Sequence, residues 1–170
     1  MKGENGDLSF EGIFGALIKR LNSDIKSWSC CTKVYSVIHR ALQDPQLSVD
    51  TANVFSGHEQ SFFSYRNLEG EGSWEKQLYA SQIQLYNLYI KALVCYKMNG
   101  DLLVLDSKEV SEKLKEMDLE VIHFTYESLE TIIALFWSFM EKVEFNSETR
   151  LMRNVVTLMV RDAFAAYRIY

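Results

Sequence analysis

Two adjacent cysteines, a lysine and a His-Arg pair fall in one apolar stretch, SWSCCTKVYSVIHRALQDP, residues 27 to 45. These are the residue types from which metal centres, reactive thiols and anion sites are built. A metal ion needs ligands that converge, and neighbours on a helix point about 100 degrees apart. Cys95 and the three histidines, His39, His58 and His123, supply no CxxC or HxxxH spacing to complete a set. Cys30 and Cys31 therefore read as packing thiols, and neither metal nor cofactor is expected. The chain has no Gly-x-Ser-x-Gly, His-Glu-x-x-His or glycine-rich phosphate loop, so no enzyme and no small-molecule substrate are expected. Glu127 and Glu130 stand one turn apart as a catalytic pair would, but solvated helix faces carry such pairs routinely.

Lys33 and Arg40 are seven residues apart, hence on one helix face, and with Lys26 they form a basic stripe on an apolar helix. Two readings fit: an anion site, or long cationic side chains that reach out of a core helix or pair with buried carboxylates. The run Leu102-Leu103-Val104-Leu105-Asp106 has the form of a clathrin-box peptide, which binds extended with its leucines in pockets. Between two helices of a folded domain it reads as a structural loop anchored by core leucines.

The elements that must position these residues are helical. Phe10, Ile13, Phe14, Leu17, Ile18 and Leu21 give a helix over about 9 to 23, and Ser27 to Pro45 bounds a second, apolar on most sides and therefore central. Residues 48 to 56 allow a short helix capped by Ser48. The glycine-bearing segment 57 to 73 reads as a loop pinned by Phe62, Phe63 and Tyr65. A long helix capped by Ser73 extends to Asn99, where Asn99-Gly100 stops it. Three more follow: Ser107 to about Glu116, about Leu119 to Val143, and one capped by Ser147 that runs to the end. A 3.6-residue period throughout, with no strand alternation, predicts an all-α stack in one domain spanning 1-170.

Composition narrows the function. The 170 residues suffice for a core without disulfides, and 48% hydrophobic and 13% aromatic residues with a single proline exclude a disordered linker. A net charge of -5 gives no global attraction to nucleic acid, so any anion site must be a local basic patch. Unpaired cysteine usage suggests a reducing, cytoplasmic interior, and no segment is apolar for long enough to span a bilayer.

The order of Asn22-Ser23, Ser27-Trp28, Lys33, Ile38-His39-Arg40 and Leu42 resembles the ANTH domains (ENTH/ANTH superfamily) of endocytic clathrin assembly proteins. The loop Phe62-Phe63-Ser64-Tyr65-Arg66-Asn67 looks like that family's aromatic loop, and Trp74 to Ile90 occupies the place of its long helix. Leu158-Met159-Val160-Arg161-Asp162-Ala163-Phe164-Ala165-Ala166-Tyr167 is similar to its Leu-x-Lys-Asp-Ala and Ala-Ala-Tyr run. The resemblance implies a right-handed superhelical stack, or solenoid, of α-helical hairpins. It implies binding of phosphatidylinositol 4,5-bisphosphate, clathrin coat assembly in endocytosis, and contact with clathrin and vesicle SNAREs. It places such a chain in the cytoplasm, peripheral at the plasma membrane, coated pits and coated vesicles. The family's headgroup motif lies ahead of the first helix here, where MKGENGDLS offers only Lys2, so the chain is expected to be N-terminally incomplete relative to the family. Lys26, Lys33 and Arg40 remain candidates for lipid binding without that motif. The alternative expectation is a helical protein-interaction module without lipid affinity.

Overall fold

The computed structural model describes residues 10–23, 28–57, 74–99, 102–103, 107–143 and 149–169. Among these, seven helices account for the regular structure: α1 (Phe10–Ser23), α2 (Trp28–Gln43), α3 (Ser48–Ser56), α4 (Trp74–Met98), α5 (Ser107–Glu116), α6 (Leu119–Met140) and α7 (Arg150–Ile169). The protein is all-helical over the described residues.

Helix α4 is the axis. At 25 residues it spans about 38 Å, long enough to pack along α6 on one side and along α2 and α3 on the other. Its buried face is built from tyrosines as well as aliphatics: Tyr86, Tyr89, Ile90, Leu93 and Tyr96 are all essentially inaccessible. Aromatic rings fill wide gaps between helices, but each buried hydroxyl then needs a partner. The Tyr96 hydroxyl accepts the Leu102 N–H at 3.1 Å, which pulls Leu102 into the core. Leu103 is buried beside it. The clathrin-box-like run is thus anchored at its first two leucines; Val104, Leu105 and Asp106 lie outside the described residues.

Helix α2 rests on α4, α7 and α3, with Ile38 and Leu42 fully buried, while α1 reaches α2 and sets Phe14 edge-on to Phe55 of α3 at 5.3 Å. Trp28 is half-buried, stacked on Tyr79 at 4.3 Å and 5°. The helix is covered on most sides, with one exception. Lys33, Val37 and Arg40, spaced i, i+4, i+7, are exposed, so α2 keeps one strip open to water.

Helix ends differ from expectation where caps were assigned by residue type alone. Ser48 is the first residue inside α3 and buried; its N–H donates to the Asp44 carbonyl at 2.9 Å, and Asp44 turns the chain by accepting the Gln46 N–H at 2.8 Å. At α7, Thr149 accepts the Met152 N–H at 3.2 Å, which places the cap there. Ser27, Ser73, Ser147, Gly100 and the aromatic loop of Phe62, Phe63 and Tyr65 lie outside the described residues. Helix α6 stops at Met140, three residues early, because Gln82 of α4 donates its amide to the Lys142 carbonyl at 2.7 Å and holds a turn there.

These contacts separate two classes of substitution. Ile38→Ala, at the α2–α4 contact, should cost about 2 to 5 kcal/mol, whereas Trp28→Ala, with one ring face already half open, should cost less. Chemical denaturation of the two variants checks the order; equal losses would contradict it.

Candidate functional site

Asp162 sits on α7 at a core position, at the register of Val155, Leu158, Met159 and Ala166, and is buried. A carboxylate placed there is costly unless donors surround it. Three side chains from two other helices do so. His39 Nε2 lies 2.6 Å from Oδ2, the Tyr89 hydroxyl donates to the same oxygen at 3.1 Å, and Gln43 Nε2 donates to Oδ1 at 2.7 Å. Gln43 also donates to the Leu158 carbonyl at 2.9 Å. The other imidazole nitrogen, Nδ1, is 3.0 Å from the Tyr86 hydroxyl. With Asp162 accepting at Nε2, that nitrogen carries a proton, and Nδ1 faces the Tyr86 hydroxyl. The network joins α2, α4 and α7 at one point.

A His–Asp pair also orients the base of many hydrolytic sites, but the third group here is a phenol. Burial, the largest cause, pushes both Tyr86 and Tyr89 well above the ordinary 10.0, with the nearby Asp162 charge acting in the same direction. Both remain protonated near neutral pH and serve as hydrogen-bond donors, and the arrangement clamps helices together. Cys31, buried and pushed up to about 11 by desolvation and then by the neighbouring Cys30, stays a thiol. Cys30 is half-buried and Cys95 exposed. His123 is exposed beside Glu127 at 3.5 Å, and His58 is outside the described residues.

The clamp sets what lies along the open side of the α2–α7 seam. The exposed strip of α2 carries Lys33 and Arg40, and the exposed ridge of α7 carries Arg150, Arg153, Arg161 and Arg168 at i, i+3, i+11 and i+18. The two helices hold these six cations and one carboxylate, the buried Asp162, in a chain of net charge -5. Lys33, Arg40, Arg150 and Arg153 line a groove of about 600 Å³ with Asn154 and Thr157. Arg40 donates to Asn154 Oδ1 at 2.8 Å across it, which orients the guanidinium. The groove continues past Asp44 and Arg161 through a hollow of about 450 Å³. It ends in a cleft of about 310 Å³ where Lys97 of α4 meets Arg161 and Arg168.

Such a seam can hold several phosphates by charge-assisted hydrogen bonds. Sequence reasoning singled out Lys33 and Arg40 but not the four arginines of α7, and for His39 it found only the lack of a metal-ligand spacing. The signal for the clamp was an aspartate at an apolar register position of α7. Lys26 lies outside the described residues. Among the described residues no group of three or more His, Cys, Asp or Glu could hold a metal, and no helix is long and apolar enough to cross a membrane.

Comparison with models of protein families, with curated proteins and with solved structures finds no match to this chain.

Two outcomes follow from the clamp. Asp162→Ala leaves His39, Tyr89 and Gln43 without their acceptor and should cost about 3 to 5 kcal/mol by denaturant titration; a loss under 1 kcal/mol would contradict the clamp. In the unfolded chain Cys31 ionises near 9.0 and the two phenols near 10.0, and folding raises all three. The unfolded state therefore releases protons first, so stability from these groups is complete below about pH 9 and falls as pH rises beyond it. The thermal midpoint should drop between about pH 9 and 11, with a smaller drop in Tyr89→Phe; a flat profile over that range would contradict the assignment.

Proposed function

We propose that this chain is a phosphoinositide-binding adaptor domain of the ANTH type, acting at the cytoplasmic face of the plasma membrane in clathrin coat assembly and endocytosis. In this reading its helices form a right-handed superhelical stack of hairpins. The stack holds phosphatidylinositol bisphosphate on one side and presents other faces to clathrin and to vesicle SNAREs. The observation that carries the reading is the cationic seam between α2 and α7, in which Lys33, Arg40, Arg150 and Arg153 share one groove within an acidic chain.

Magnitudes favour a membrane-bound phosphate over a free one. A Lys or Arg close to an anionic leaflet contributes about 1 kcal/mol, so the four groove cations supply roughly 4 kcal/mol, about a thousandfold in affinity. That is modest for one soluble ion and sufficient for a surface that offers many phosphates. The coat and cargo roles rest on the ordered resemblance through Trp28, Ile38-His39-Arg40 and Leu158 to Tyr167. Clathrin recruitment through Leu102 and Leu103 is disfavoured, since both are buried. A helical interaction module without lipid affinity has no need of a contiguous cationic surface, and the seam weighs against it.

Co-sedimentation with vesicles containing the bisphosphate lipid, against neutral vesicles of the same size, tests the reading. Binding should exceed the neutral control, weaken with salt, and fall about 30-fold in the Arg40→Ala/Arg153→Ala double variant. Binding no greater than to neutral vesicles would remove the lipid role for this chain.

A further inference from the structure

Beside the seam, α6 and α7 leave an apolar hollow of about 530 Å³ lined by Ile133, Phe136, Trp137, Val160, Phe164 and Tyr167. Its rim is unusually open. Trp137 is 62% exposed, Phe164 69% and Tyr167 78%, although all three are large rings that folding normally covers. Phe164 follows Arg161 by three residues and precedes Arg168 by four, so on the surface of α7 it stands between two guanidinium groups. Arg153 lies along the same ridge.

We infer that Trp137, Phe164 and Tyr167 form an insertion edge that enters the headgroup–acyl boundary of an anionic bilayer while the neighbouring arginines hold its phosphates. This rests on the lipid reading above and adds a second mode of contact to it: apolar insertion, which a soluble headgroup cannot provide. Trp, Tyr and Phe are the side chains that settle at bilayer interfaces, and an apolar edge flanked by Arg matches the surface-lying arrangement of interfacial helices.

Area and charge decide between a bilayer and a second copy of the chain. The exposed parts of the three rings amount to roughly 400 Å², about half of the 800 Å² that each partner buries in a stable protein complex. A bilayer sets no such minimum, because each ring partitions on its own. The α7 side of the edge bears Arg153, Arg161 and Arg168, complementary to anionic lipid. Glu141, four residues after Trp137 at the end of α6, is exposed, and its repulsion from anionic lipid tilts the contact toward α7.

The test compares wild type with Phe164→Gln/Tyr167→Gln, two exposed positions whose thermal midpoint should not move. Each protein is titrated with bisphosphate-lipid vesicles and with the soluble inositol trisphosphate headgroup. The expected result is a tenfold or greater loss of vesicle affinity with headgroup affinity unchanged within twofold. Lipids brominated near the glycerol should quench part of the tryptophan emission of the wild type, and Trp137→Phe should abolish that part. Equal vesicle affinity for both proteins, with no quenching, would overturn the insertion edge while leaving the cationic seam intact. Wild-type binding no better than to neutral vesicles would overturn the lipid reading itself and this edge with it. Concentration-dependent dimerisation lost in the double variant would overturn the edge in favour of a second copy.

Discussion

A carboxylate cannot be buried alone, and the arrangement of α2, α4 and α7 follows from how Asp162 is satisfied. Its two oxygens draw His39 and Gln43 from α2 and Tyr89 from α4, and His39 draws in Tyr86. Apolar packing alone tolerates helices that slide or rotate a little against each other, because one aliphatic contact substitutes for another. A set of short hydrogen bonds converging on one buried carboxylate does not. Rotating α7 by one residue, about 100 degrees, would carry Asp162 away from its donors and turn part of the arginine ridge toward the core.

The position of the charge is therefore a consequence of the clamp. With Asp162 fixed inward, Arg150, Arg153, Arg161 and Arg168 face solvent beside Lys33 and Arg40. Six cations gathered along one seam repel one another, but at a wet surface that repulsion is screened over about 8 to 10 Å at physiological salt. The buried network supplies what the surface gives up, and in the proposed role a bound anion would relieve the repulsion. Arg40 is already oriented by Asn154, so little ordering would be lost on such binding. The exposed rings of Trp137, Phe164 and Tyr167 border the same ridge, and their exposure is as unusual for a folded core as the cation density is for an acidic chain.

Most of the helical layout was legible because apolar spacing survives without knowledge of neighbours: Ser107–Glu116 and Trp74–Met98 fall at or within a residue of where periodicity puts them. Caps were less legible. Ser48 has the right residue type for a cap, yet Asp44 and Pro45 turn the chain so that Leu47 holds that position and Ser48 is inside the helix. Lys33 and Arg40 could be placed on one face from their seven-residue spacing, but nothing local joins them to arginines of α7. His39 and Asp162 are 123 residues apart, and a contact at that separation leaves no period to read. What the sequence did carry was an inconsistency: an acid in a row of core positions on an otherwise apolar and basic helix, and a histidine next to Ile38 on a buried face. Each is a local violation that only a distant partner resolves.

In the proposed function the seam between α2 and α7 receives lipid phosphate. Titrating the soluble inositol trisphosphate headgroup into isotopically labelled protein and following backbone and arginine side-chain NMR shifts tests it most directly. The expected result is a set of saturable shifts concentrated at Lys33, Arg40, Arg150, Arg153 and Asn154, with α5 and the outer face of α6 unchanged. Shifts centred on any other helix pair, or no saturable change at low salt, would contradict it.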